Sequence, residues 1–452
     1  MKKLIFIICA ILMCMTGCMS SDELPHISSG GSSAESQTGK QTTVSVDSRI
    51  TVNEQEITTT VEHTTIQNKT SITTAVSLSG DERVDAVLNT YSKAELTAPR
   101  YDLQKYMKPI WEDSLVYNES VMVLAEENGE VAPITLAYDA AYIVDVRSSS
   151  LTTVYKEGKD YRLKGGKLHI PAGSDIPMMK QETYYPATAS SNTMRRTEGG
   201  YLLFSEGGYF HQNQIAVTYV HLDKWKGEVP ATQKVRLKKT VDKLNNKQPL
   251  HIVFYGDSIF TGCNASGTTQ GGKVLPFMPS WFDMLVEMLK HTFGYENITY
   301  SNPSVGGVKS DWGVQNAQSL VVSENPDLLF IGFGMNDAQL SVSTYRQNIE
   351  DIMDTVQATN PSCEFILTAP MLPNKEAQGF YGNQVLFLRE LQRLCGNGVA
   401  IMDLTTPHQY LLTRKSYRDM TGNNVNHPND FLSRLYAQVA LACFHFNIHH
   451  FS

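Results

Sequence analysis

The hydrophobic and polar positions of this chain fall into four stretches with different patterns. Residues 4–15 are apolar without a break and follow Lys2 and Lys3. A run that short does not comfortably span a bilayer, and its basic start marks a secretory leader. Residues 19 to about 85 carry mainly Ser, Thr, Gln, Glu and Gly, with no aromatic residue between Phe6 and Tyr91. Such a stretch buries too little apolar area to offset the entropy of ordering. A disordered tether is expected over 19–97.

Between 98 and 235 short runs alternate in polarity, as in Val121–Ala125, Ala141–Val146, Lys167–Ile170 and Ile215–Val220. Turn pairs at Asn128-Gly129, Gly165-Gly166, Gly199-Gly200 and Gly207-Gly208 punctuate them. Short strands between such turns predict an all-β sandwich or jelly roll over 98–235. A basic stretch, Lys234 to Lys243, follows and predicts a solvated linking helix.

From 246 to 452 strand-length apolar runs alternate with helical patterns. Strands are predicted at 250–255, 297–301, 327–333, 363–369 and 399–403. Helices are predicted near 279–292, 312–323, 343–358, 381–395 and 432–446. Phe282, Leu285, Val286 and Leu289 illustrate the helical spacing. This alternation predicts an α/β domain, a parallel sheet with helices on both faces.

Composition changes the picture little. The net charge is −8 and the linker is the one basic cluster, so no nucleic-acid partner is expected. Cys263, Cys363, Cys395 and Cys443 follow the leader and the tether. Their wide spacing gives no disulfide framework, and disulfides or buried thiols both fit. His445, His449 and His450 lack a Cys, Asp or Glu to complete a ligand set, so no metal and no cofactor is expected.

Candidate chemistry lies in four blocks. Tyr255-Gly256-Asp257-Ser258 ends a buried strand, where open α/β sheets place their ligands. Ser301–Gly307 follows the next strand. Gly334-Met335-Asn336-Asp337 follows the third. Asn424-Val425-Asn426-His427-Pro428 precedes the last helix. The order Ser, Gly, Asn, His over roughly 246–447 resembles the SGNH, or GDSL-type, hydrolase superfamily. The resemblance implies a flavodoxin-like sheet and, by analogy with carbohydrate esterases, a β-sandwich domain in front of it. The absence of Gly-x-Ser-x-Gly argues against the larger α/β-hydrolase fold.

The resemblance implies a chemistry. Ser258 needs a base, and His427 is the candidate. The tetrahedral oxyanion needs preorganised donors: the backbone N–H groups of Ser258 and Gly307 and the side-chain amide of Asn336. The family carries Asp three residues before the catalytic His, and here Asn424 stands there. Asn424 or a backbone carbonyl is expected to orient the imidazole. Asp430 also competes, although it is read as the N-cap of the last helix. His408, after Pro407, is read as a surface or pocket-rim histidine. Trp312 is a candidate sugar contact, with Trp281 weighed beside it; a core tryptophan is the commoner fate.

Met15-Thr16-Gly17-Cys18 resembles the bacterial lipobox, which implies a leader over 1–18 and a lipid anchor on Cys18. The expected location is the outer face of a bacterial membrane, or secretion. The expected partners are that membrane and an acetylated polysaccharide or small acyl ester. The expected activity is a serine esterase removing O-acetyl groups through a Ser-His acyl-enzyme. A lipid esterase or lysophospholipase, an acetyltransferase and a non-catalytic carbohydrate-binding protein stand as alternatives. The last of these rests on Asn424.

Overall fold

Five parallel strands form the centre of the C-terminal part: β5 (Leu250–Gly256), β6 (Ile298–Ser301), β7 (Leu328–Gly332), β8 (Glu364–Ala369) and β9 (Val399–Asp403). Their spatial order is β6-β5-β7-β8-β9, and every pairing is parallel. This computed structural model describes residues 79–444. The leader, Cys18, the tether up to residue 78, and His445, His449 and His450 lie outside the described residues.

Side chains of one strand alternate between two cores, as a pleated strand requires. Ile252 and Phe254 face one apolar cluster, while Val253 and Tyr255 face another. The first cluster takes in α1 (Trp281–Phe293) and α6 (Asp430–Ala442). The second takes in α2 (Ser310–Leu320), α3 (Val342–Gln357) and α4 (Gln384–Gln392). Helices therefore cover both faces, as the near-continuous apolar strands require. The pattern predicts these elements, except that α5 (Thr405–Leu412) is read from sequence as loop.

The preceding segment is mainly antiparallel, with one parallel ribbon, and matches the sandwich expected over 98–235 only in part. Its main sheet contains β1 (Leu115–Val121), β2 (Ala140–Ser148), β3 (Val154–Tyr155) and β4 (Ile215–His221), in the order β1-β4-β2-β3. Shorter two-stranded ribbons accompany it. Order begins before residue 98: Glu82–Leu88 is a helix capped by Asp81, with Val84 and Leu88 in the core. Its apolar positions, Val84, Val87 and Leu88, recur at helical spacing, which gives this part of the expected tether a face to bury.

The antiparallel sheet and one face of the parallel sheet share a core. Leu115, Val217 and Tyr219 belong to the same cluster as Phe431 and Leu435 of α6. Polar contacts fix the same junction. Glu119 pairs with Lys415, and both side chains are fully buried. Asn429 caps α6 by accepting from the Leu432 N–H at 3.1 Å, and its amide donates to Ser120 Oγ and Gln214 Oε1. The cap is thus Asn429, and Asp430 is the first helical residue, its carboxylate accepting from the Ser266 N–H at 2.8 Å. The helix read from the basic stretch runs Lys238–Asn245, with Thr240 and Leu244 buried. Cys363, Cys395 and Cys443 carry free thiols, and the Cys263 thiol donates to Gln270 Oε1.

Candidate active site

The turn that carries Ser258 is set by close backbone packing. Gly256 and Gly332 are register partners at the ends of β5 and β7. A Cβ at Gly256 would meet the Gly332 oxygen at 2.4 Å, and one at Gly332 would meet the Phe260 ring at 1.7 Å. Only glycines let the ring sit on the strand ends and the chain reverse there. The buried Asp257 carboxylate accepts from the N–H groups of Ile259 at 3.0 Å and Met335 at 3.3 Å. Burial, aided by Asp337, pushes this carboxyl up to about 7.

The 301–307 loop docks on the same strand end. Ser304 Oγ donates to the Phe254 oxygen, the Val305 N–H donates to the Gly256 oxygen, and the Asn302 amide donates to the Phe260 oxygen. A Cβ at Gly306 would lie 3.8 Å from that of Ser258, so this loop passes beside the serine. Gly307 has φ +78°, a conformation that favours glycine. Among the described residues, neither the Ser258 nor the Gly307 N–H has a hydrogen-bond partner. The Asn336 amide donates one hydrogen to the Val308 oxygen at 2.8 Å, which fixes its direction. Its second hydrogen remains for a ligand. Asp337 anchors this loop by accepting from Ser310 at the start of α2.

His427 arrives from the opposite side. Asn423 Oδ1 accepts from the N–H groups of Val425, Asn426 and His427, each at 3.0 Å, and folds the loop tightly. Nε2 of His427 then stands 2.8 Å from Ser258 Oγ. Ser258 is 5% and His427 8% exposed, which shields the pair while leaving an opening.

Two acceptors face the other ring nitrogen. Asn264 Oδ1 lies 2.8 Å and Glu206 Oε2 3.2 Å from Nδ1. A hydrogen on Nδ1 leaves the Nε2 lone pair pointing at Ser258, the tautomer a general base needs. Neither acceptor is marked by a motif: Glu206 directly precedes Gly207-Gly208, and Asn264 lies in the loop after Ser258. Burial works to raise the Glu206 carboxyl. The His427 imidazole and the Asn423 and Asn264 amides outweigh it and hold the group below its ordinary value.

Asn424, expected to orient His427, is turned elsewhere. Its Oδ1 accepts from Tyr184 Oη at 2.8 Å, and its amide donates to the Leu203 oxygen at 2.9 Å. The residue has φ +70°, which directs its side chain into the antiparallel segment rather than toward the imidazole. Nor is Asp430 the orienter, since it holds the Ser266 N–H. His408 is fully buried in α5, not at a rim. Its Nδ1 accepts from the Leu372 N–H at 3.0 Å, and burial lowers it to about 3. Trp312 is half-buried against Tyr255, with ring centroids 6.0 Å apart. Trp281 is fully buried and donates to the Ile259 oxygen.

Residues 254–435 match the GDSL-like Lipase/Acylhydrolase family. No curated protein matches the chain. Among solved structures, a two-domain esterase (CEX) active on acetylated mannans, co-crystallized with mannopentaose, is similar at 24% identity and a TM-score of 0.39. The similarity covers 47% of this chain and 54% of that one, so the chain spans about half the length of the mannan esterase. Axe2, an acetylxylan esterase from Geobacillus stearothermophilus, is similar at 15% identity and a TM-score of 0.37, over 44% of this chain and 95% of that one.

Proposed function

We propose, from the match of residues 254–435 to the GDSL-like Lipase/Acylhydrolase family, that this chain is a serine ester hydrolase that removes O-acetyl groups from a polysaccharide at a cell surface. The observation that carries the reading is the 2.8 Å contact between Ser258 Oγ and His427 Nε2. Oγ attacks the acetyl carbonyl carbon while its proton passes to Nε2. The resulting oxyanion is met by the Ser258 and Gly307 N–H groups and the Asn336 amide. The imidazolium returns the proton to the departing sugar oxygen and leaves an acetyl-serine. Water, losing a proton to Nε2, attacks that ester; the imidazolium then returns the proton to the departing Ser258 Oγ as acetate leaves.

Two exposed rings support a sugar substrate. Tyr209 follows Glu206 by three residues, and Phe277 belongs to the long loop that carries Asn264. Exposed flat apolar faces, Tyr209 at the start of the short helix Tyr209–Gln212 and Phe277 in its loop, suit the faces of sugar rings. The antiparallel segment is read as a reduced sandwich serving this site rather than as an independent binding module. Anchoring through Cys18, ahead of a long tether, would give the enzyme reach across a surface.

The test is acetate release by the full chain from acetylated xylan and acetylated mannan, with phosphatidylcholine as the competing substrate. Acetate from either polysaccharide, lost in Ser258→Ala, supports the reading. Fatty acid from the phospholipid without acetate would replace it with a lipid esterase. No product from any of the three, from folded protein, would replace it with a binding protein.

A further inference from the structure

A conserved chemical requirement of a Ser-His pair is a partner for the imidazolium that forms as the serine loses its proton. Asn264 accepts a hydrogen bond but carries no charge. The groups that face His427 with a carboxyl are Glu206 and Asp257. Asp257 is buried, is raised to about 7, and has its oxygens committed to the Ile259 and Met335 N–H groups. Glu206 is the one held below its ordinary value, so it is ionised at neutral pH.

The position of Glu206 is fixed from both sides. Its Oε1 accepts from the Asn423 amide at 2.9 Å, the residue whose oxygen folds the His427 loop. Just before it, the Leu203 oxygen accepts from Asn424. Just after it, the Gly207 oxygen accepts from Asn264 at 3.1 Å. Two backbone carbonyls therefore grip asparagines of the catalytic part, and the carboxylate lies between them. Glu206 and His427 are 221 positions apart, and Glu206 lies outside the residues that match the hydrolase family.

We propose that Glu206, supplied by the antiparallel segment, is the positioning acid of His427 and takes over the role that an aspartate three residues before the histidine would play. This rests on the Ser-His reading above. It makes the antiparallel segment part of the catalytic apparatus: the family-matched residues by themselves hold a nucleophile and a base but not the charge that steadies the base.

The test is steady-state hydrolysis of p-nitrophenyl acetate by the full chain carrying Glu206→Gln, Glu206→Asp or Ser258→Ala. The Glu206 side chain is 47% exposed, so these changes leave the core intact. Glu206→Gln is expected to lower kcat roughly 10- to 100-fold with KM nearly unchanged. That is less than the about 10⁴ known for Asp→Asn in a serine protease, because Asn264 still accepts the Nδ1 hydrogen. Glu206→Asp should recover part of the loss, which a merely structural role would not give. The far-downfield proton resonance of a charge-assisted Nδ1–H should move upfield in Glu206→Gln. Wild-type kcat in Glu206→Gln, or a loss confined to KM, overturns the proposal while Ser258→Ala remains inactive. Activity that survives in Ser258→Ala overturns the Ser-His reading and this proposal with it.

Discussion

Tyr184 donates its phenolic hydrogen to Oδ1 of Asn424 across 240 positions of sequence. The bond joins the antiparallel segment to the loop that carries His427, and it explains why Asn424 serves docking rather than the imidazole. The Asn424 amide reinforces it by donating to the Leu203 oxygen. Asn424→Asp, which restores the family's aspartate, should therefore not accelerate the enzyme. It sets a carboxylate oxygen against the Leu203 carbonyl. The expected cost is about 1–3 kcal/mol of stability, the usual penalty for a buried polar group left without its partner. Denaturant unfolding measures it, and kcat should stay within a few-fold of the native value.

The proposed oxyanion donors give a different signature. Asn336→Ala should lower kcat by about 10²–10³ with little change in KM, because its donor acts on charge that develops in the transition state. Its bond to the Val308 oxygen fixes the amide without contributing to the core, so the melting temperature should change little. Initial rates on a small acetyl ester check both statements.

Tyr209 and Phe277 are 39% and 53% exposed, far above what core aromatics show. If they hold sugar rings, Tyr209→Ala and Phe277→Ala should each raise KM for acetylated xylan or mannan. A stacking contact of about 1 kcal/mol corresponds to about fivefold. KM for p-nitrophenyl acetate, which has no sugar, should not move. Equal effects on both substrates would assign the rings to structure instead.

His408 makes a prediction about acid stability. Burial lowers it from 6.5 to about 3 in the folded chain, whereas the unfolded chain protonates it in the ordinary range. Its contribution is present above pH 6.5 and is lost progressively as pH falls toward 3. The loss amounts to about 1.4 kcal/mol for each pH unit in that window. His408→Asn keeps an acceptor for the Leu372 N–H but cannot titrate. Its unfolding free energy should fall less steeply between pH 6.5 and 4.5 than that of the native chain, whatever the offset at pH 7.

The sequence makes the central sheet legible because β5, β7 and β8 are buried on both faces, which forces continuous apolar runs of strand length. Ser258, Gly307, Asn336 and His427 are legible because each follows or precedes a regular element. Asn264 and Glu206 are not, since accepting a hydrogen from Nδ1 depends on reach rather than spacing. Spacing points to Asn424, but a left-handed backbone there turns its side chain away. The burial of His408 is not legible, because Pro407 suggests a loop. Pro407 in fact occupies the first turn of α5, where its missing N–H costs the helix nothing.

The proposed chemistry depends on a single activated hydroxyl. Incubating the full chain with a fluorophosphonate and locating the adduct by peptide mass spectrometry tests this most directly. The prediction is one adduct, on the peptide containing Ser258, absent in Ser258→Ala and strongly slowed in His427→Ala. An adduct on another residue, or none on folded protein that still releases acetate, would contradict it.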